Sequence, residues 1–370
     1  MGQRCSDAAA VISFASGPGV LPPEVLDEVR EAVGGWHGHA RSILELPFGG
    51  AEYTAIQDEF EEDARALLSL PDDYRILLMQ GGAFAQFRLV PLNLLRPGER
   101  AAYIDTGLWA ARAITEAGEV CDVAVAARGC GEIPAVQSWR LPDDAVYCHV
   151  TGNETADGIQ FHAFPDLGDV PLVADLTADL FTHPLEFRRF GLVYASAQKN
   201  LGATGLTVVI VRADLLGRTR AEVPAPLDYT RQAGARSRVN TPPIFSVFVA
   251  GRMLKWLRRQ GGLRLAAARC RQRSAMLYRA IDDSRLYSCS ARPADRSHVS
   301  VCFHLPDAAR DALFLAEARR RGLVHLEGHP ARGGIRACLF NAMPEEGVAA
   351  LADFMGEFAV TGAACAQHDR

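Results

Sequence analysis

Lysine is almost absent from this chain of 370 residues: only Lys199 and Lys255 carry a primary amine, and every other basic residue among the 39 is arginine. Chemistry that needs an amine nucleophile therefore has two candidate positions. An excess of positive charge is also missing, since the formal net charge is −5. That argues against nucleic acid or an anionic membrane surface as a partner. Long apolar runs are lacking too; Thr207–Val211 is only strand length, well short of the roughly 18 residues of a membrane span. The nine cysteines show no Cys-x-x-Cys pairing and no zinc-ligand spacing with histidine. They read as the reduced thiols of a cytoplasmic protein. The N-terminus has none of the regions of a signal peptide. Met1-Gly2-Gln3-Arg4-Cys5-Ser6 matches the short myristoylation pattern, which is too degenerate to carry weight.

What is present is ordinary globular composition, 49% hydrophobic and 22% charged, in a chain long enough for a large core. Helical patterns run from Pro22 to Val33 and from Ala51 to Leu68. Seven short apolar runs follow, at 75–79, 101–104, 122–127, 145–150, 172–174, 192–195 and 207–211. Their interleaving with helices predicts an α/β domain on a mostly parallel sheet. After about residue 258 the pattern changes to a smaller α+β unit, with helices near 263–281, 306–321 and 344–358 and strands near 298–304 and 335–340. The expected organisation is an N-terminal arm over 1–15, a large domain over 16–258 and a small domain over 259–370.

Open parallel sheets bind ligands beyond the carboxyl ends of their strands, so residues just after each run are the candidates. Lys199 follows the run from Gly191, beside Gly202 and Gly205. A desolvated amine there can form a Schiff base, although most lysines in such loops are simply solvated. Lys255 shares a helical face with Arg252 and Arg259 and reads as a surface charge. Asp175 ends the run Pro171-Leu-Val-Ala-Asp; it suits the partner of a pyridinium nitrogen, or equally a helix cap. Gln80-Gly81-Gly82-Ala83-Phe84 joins a strand to a helix, where backbone N–H groups can approach a phosphate, but it is not a Walker loop. Trp109 could stack on a planar cofactor or simply pack in a core.

Six spaced segments then carry a resemblance: Ser16-Gly-Pro-Gly-Val-Leu-Pro, Gln80-Gly-Gly, Asn153-Glu-Thr, Ser196-Ala-Gln-Lys-Asn-Leu-Gly, Asn240-Thr-Pro-Pro and Asn341-Ala-Met-Pro. In this order they resemble the phosphoserine aminotransferases, class V members of the fold-type I pyridoxal-phosphate enzymes. The resemblance implies a homodimer with shared active sites, small amino and 2-oxo acids as substrates, and pyridoxal 5'-phosphate as cofactor. It makes Lys199 the Schiff-base lysine and acid–base group, and Asp175 the partner of the pyridine nitrogen. Trp109 would stack on the ring and Thr155 bond its phenolic oxygen. Gly82, Ala83, Phe84 and Gln198 would hold the cofactor phosphate, with Asn240 and Thr241 arriving from the partner chain. Arg336 would fork the substrate α-carboxylate.

The departures from that family concern the substrate side chain. Phe48 and Gly49 stand where the family has a His-Arg pair, Pro330 follows Gly328-His329 in place of an arginine, and Ala83-Phe84 fills a turn that usually reads Ala-Ser or Gly-Arg. A dianionic phosphate needs guanidinium forks, each charged hydrogen bond being worth roughly 1.5–3 kcal/mol. The expectation is an intact cofactor end and a less basic, more apolar substrate end, with His329 and Arg332 as possible compensation. The leading reading is an aminotransferase for an amino acid without a phosphate. Alternatives are a true phosphoserine aminotransferase, or elimination, decarboxylation or cyclisation on the same cofactor.

Overall fold

The computed structural model describes residues 11–36 and 41–365, with side chains described up to residue 360. The Met1–Ser6 pattern and most of the expected arm lie outside the described residues. In chain order the elements are β1 (Ile12–Ser13), α1 (Pro23–Gly34), α2 (Ala51–Leu68), β2 (Tyr74–Met79), α3 (Gly82–Leu94), β3 (Arg100–Asp105), α4 (Leu108–Gly118), β4 (Asp122–Arg128) and β5 (Ala145–Thr151). A short hairpin of β6 (Asn153–Glu154) and β7 (Ile159–Gln160) precedes β8 (Leu172–Asp175), β9 (Phe190–Ser196) and β10 (Thr207–Arg212). Then come α5 (Tyr229–Gly234), α6 (Ile244–Arg259), α7 (Gly262–Asp282), β11 (Ser300–Phe303), α8 (Ala308–Arg320), β12 (Leu323–Val324), β13 (Ile335–Cys338) and α9 (Glu345–Cys365).

The seven apolar runs form one sheet in the order β2-β10-β9-β8-β5-β3-β4. Strand β10 runs antiparallel to both its neighbours, and the remaining pairs are parallel. Every residue of β8 and β9 is buried, as continuous apolar strands require when both faces are covered. Alternate side chains feed two cores. Val193 and Ala195 pack with Tyr53 and Phe60 of α2 and Leu254 of α6, whereas Leu192 and Tyr194 pack with Phe87 of α3 and Ala113 of α4.

A third core joins α7, α8 and α9 to the β11–β13 pair around Phe303, Phe314 and Phe354. The N-terminal segment belongs to it: β1 pairs with β12, and Phe14 is 1% exposed among these residues. Buried Arg273 of α7 fastens the chain after β13 by donating to the carbonyls of Phe340, Asn341 and Met343. Asn341 in turn bridges the two units, donating Nδ2 to the Phe181 carbonyl (2.8 Å) and its backbone N–H to Asn200 Oδ1 (3.2 Å). Asn200 directly follows Lys199, so this bridge sets the reactive loop against the second unit. Lys255 is less free than its helical position suggests, because its Nζ lies 2.5 Å from Glu59 of α2 and ties α6 to α2.

Candidate active site

A cavity of about 460 Å³ opens beyond the carboxyl ends of β2, β3, β5, β8 and β9. Lys199 and Asp175 face it from adjacent strand ends, with Arg336 entering from β13 of the second unit. Burial lowers the Lys199 amine below its ordinary value, opposed by Cys338 and Asp175. Burial raises the Asp175 carboxyl, while hydrogen bonds from Thr177, including its N–H to Oδ1 at 2.9 Å, and the Lys199 charge act the other way.

Thr155 organises the centre. Its hydroxyl oxygen accepts from Trp109 Nε1 (3.0 Å) and lies 3.4 Å from the Lys199 amine, which leaves its own proton to donate into the cavity. Its carbonyl faces Arg336 Nη1 at 3.4 Å. Trp109 is set by acids at the N-terminus of α4. Glu154 accepts the N–H groups of Trp109 (2.7 Å) and Ala110 (2.8 Å), and Asp157 accepts that of Leu108 (3.0 Å). Glu154 is completely buried, and burial pushes its carboxyl up to about 8 against those two bonds.

The other end is the first turn of α3. Gly81 and Gly82 hold φ of 105° and 73°, a conformation that favours glycine. They turn the chain so that Gly82, Ala83 and Phe84 face the cavity, and the Ala83 N–H is bonded to Ser196 Oγ at 2.5 Å. Gln198 also lines the cavity.

The structure thus brings together Lys199, Asp175, Thr155, Trp109, the turn at Gly82–Phe84, Gln198, His329 and Arg336. It does not bring in Phe48, which packs partly buried against the main core, or Gly49, whose Cα faces open space. Asn240 and Thr241 do not line this chain's cavity either; the Thr241 carbonyl accepts from Gln80 Nε2 at 2.8 Å. Arg332 is not available as a replacement grip, because its guanidinium is bound to Asp157 at 2.5 Å.

Sequence reading missed Ser196 as a support of the α3 turn, Glu154 as the anchor of Trp109, and Arg112. The last sits one helical turn beyond Trp109 with its guanidinium 5.0 Å from the indole centroid. The Trp-x-x-Arg spacing on a helix was the available signal.

These groups fit pyridoxal phosphate. A lysine and a carboxylate converge on the centre, an indole supplies a stacking face, a hydroxyl is free to donate, and a helix N-terminus suits a phosphate. Fold and cavity together define a fold-type I pyridoxal-phosphate enzyme.

The family model "Aminotransferase class-V" matches residues 11–351, and the chain belongs to that family. Phosphoserine aminotransferases are similar over nearly its full length. That of Acidithiobacillus ferrooxidans is 45% identical over 354 residues, covering 94% of this chain and 98% of the relative. That of Hahella chejuensis is 46% identical over 352 residues, covering 94% and 97%. Among solved structures, the phosphoserine aminotransferase of Bacillus circulans subsp. alkalophilus superposes with a TM-score of 0.93 at 38% identity, covering 96% of this chain and 99% of that one. The pyridoxal-phosphate-bound enzyme of Trichomonas vaginalis gives 0.90 at 32% identity, covering 94% and 99%. The protein is a pyridoxal-phosphate-dependent aminotransferase that resembles the phosphoserine aminotransferases. No helix among the described residues is long and apolar enough to cross a membrane.

Proposed function

We propose that this chain transfers an amino group between a 2-oxo acid and an α-amino acid with an anionic side chain, O-phosphoserine being the first candidate. The observation that carries this reading is the surplus of positive charge at the cavity mouth. Arg336, Arg112 and Arg332 all act on the His329 imidazole in one direction, and Asp157 acts in the other. The 42–46% identity of the phosphoserine aminotransferases over nearly the full chain supports the same substrate. This reading takes precedence over the apolar pocket expected from Phe48, Gly49 and Pro330.

Bound pyridoxal phosphate supplies an electron sink for charge developing at the substrate α-carbon. The desolvated Lys199 amine takes and returns the α-proton. Asp175 would keep the pyridine nitrogen protonated, Thr155 would donate its hydroxyl proton to the phenolic oxygen, and Trp109 would stack on the ring. Ser196, Gln198 and the turn at Gly82–Phe84 would hold the phosphate. Arg336 takes the substrate α-carboxylate as a bidentate fork. The protein works as a homodimer, with Asn240 and Thr241 of each chain completing the other's site.

A second reading, an amino acid without a phosphate, is favoured by one observation. The residues at 49 and 330 carry no guanidinium, and Phe84 presents a half-exposed ring to the cavity. Absorbance titration of the loaded protein with O-phospho-L-serine, L-glutamate and L-alanine, each in turn, decides between the readings. Loss of the lysine-bound cofactor absorbance with O-phospho-L-serine supports the first. A response to L-alanine alone supports the second.

A further inference from the structure

A second cavity, of about 210 Å³, lies where the two units meet. His162 and His183, past β7 and β8, line it from the large unit, and Arg271 of α7 and His298 face them from the other. It is larger than the roughly 150 Å³ that holds a benzene molecule, but its walls are polar. None of these four side chains lines the active-site cavity.

The hydrogen bonds around the three imidazoles fix where their protons sit. His162 Nε2 lies 3.1 Å from the Arg296 carbonyl, which can only accept. Thr182 gives its hydroxyl proton to the Asp179 carbonyl (2.7 Å), so it accepts from His183 Nδ1 at 3.0 Å. Ser274 likewise donates to the Arg271 carbonyl (3.1 Å) and accepts from His298 Nδ1 at 3.2 Å. A neutral imidazole has one N–H, and each of these rings spends it on a neighbour. The second nitrogen, Nδ1 of His162 and Nε2 of His183 and His298, has no hydrogen-bond partner among the described residues.

Three bare imidazole nitrogens suggest a metal first. Among the described residues, however, no group of three or more histidine, cysteine, aspartate or glutamate side chains is placed to hold one. The Arg271 guanidinium, moreover, makes no hydrogen bond and no ion pair among the described residues, and a free cation in the wall opposes a second. Asp295, the acid that acts on His162, is already held by Arg292 Nε at 2.8 Å. Burial, then His162 and Arg271, hold His183 and His298 at about 4, so near pH 7 the wall carries the Arg271 charge alone.

We propose that this cavity is a second ligand site, for a tetrahedral oxyanion such as a phosphate group or sulfate, which it binds together with protons. Arg271 offers its fork of donors, and each imidazole that takes a proton from solvent turns its bare nitrogen into a further donor. Groups arriving from several elements suit oxygens that point in several directions better than the two coplanar oxygens of a carboxylate. Because the donors come from both units, the anion clamps them together. The clamp lies beside the Asn341–Phe181 contact, since Phe181 precedes Thr182 in the wall and Cys270 Sγ is 3.9 Å from Asn341 Oδ1.

The test titrates the holoenzyme with sodium sulfate in a calorimeter at constant ionic strength, because the charge of sulfate is constant near neutral pH. Binding should tighten about tenfold for each pH unit lowered if one proton is taken up. Arg271 is exposed, so Arg271→Met leaves the core intact; it should weaken binding about 10- to 100-fold, the loss of one charged hydrogen bond. His183→Gln with His298→Gln should flatten the pH dependence, and Arg336→Met, in the other cavity, should leave sulfate binding unchanged. Absence of binding overturns the proposal. So does sulfate that binds wild type and Arg271→Met alike, or that is lost in Arg336→Met, because it then sits at the substrate end. A pH dependence that survives in the double histidine variant overturns the role of the imidazoles. Acetate bound as tightly as sulfate overturns the preference for a tetrahedral anion.

Discussion

The two ends of the cavity are built on opposite principles. At the inner end the polar groups hold one another: Lys199 and Trp109 meet at the Thr155 hydroxyl, Asp175 is held by Thr177, and Ser196 takes the Ala83 N–H. At the mouth Arg336 and His329 line the cavity, and the charges of Arg336, Arg112 and Arg332 all bear on the imidazole while only Arg332 is paired with an acid among the described residues. A site satisfied before binding orients its cofactor without rearranging. A site left with unbalanced charge gains most when a counter-ion arrives, and this is how the same cavity combines fixed chemistry with a choice of substrate.

The largest expected effect removes the centre of the inner end. Lys199→Ala should lower turnover by more than about 10⁴-fold, the upper range for a lost acid–base group, and abolish the absorbance of lysine-bound cofactor. Stopped-flow spectra check both, and a variant that keeps its colour would end the assignment of this lysine. A smaller effect should follow from loosening the support beneath Trp109. Glu154→Ala leaves two N–H groups at the start of α4 without acceptors and should cost about 1–3 kcal/mol of stability in denaturant unfolding. If cofactor affinity does not fall with it, the inner end is less dependent on its scaffold than the contrast implies.

The smallest effect concerns the junction of the two units, away from both ends. His162, His183 and His298 line a cavity there with Arg271, and burial holds His183 and His298 at about 4. Their folded values lie below the unfolded one, so the unfolded chain binds more protons between about pH 6.5 and pH 4. Their contribution to stability is therefore complete above that window and is lost as pH falls through it. His183→Gln with His298→Gln should shrink the acid-side fall in Tm by about 2 °C, after discounting for solvent screening. An unchanged slope would place the acid sensitivity elsewhere.

The differing legibility of the two ends in the sequence has a physical cause. Lys199, Asp175 and the Gly81–Gly82 turn lie at the carboxyl ends of strands whose apolar runs can be read directly, so their meeting at one end of the sheet was foreseeable, whereas Thr155 came only from the resemblance. Arg112 had only the weak Trp-x-x-Arg spacing as a signal, and Glu154 none for its role, since its contacts are to the start of α4 some 45 positions earlier. Arg332 looked like a spare cation until Asp157 was found beside it, 175 positions away in the chain. The N-terminal strand was likewise expected to be part of an arm, but its partner, β12, lies more than 300 residues further along.

By itself, the sequence determined the class of chemistry and the sheet that carries it. A lysine after a strand in a chain with only two, a strand-end acid and seven apolar runs are local patterns, fixed by side-chain type and period. The charge balance at the mouth was decided only by the tertiary structure. Whether a guanidinium is spent on a neighbouring carboxylate or left for a substrate depends on distances of a few ångströms between residues far apart in the chain, and Coulomb energies vary with those distances rather than with sequence position.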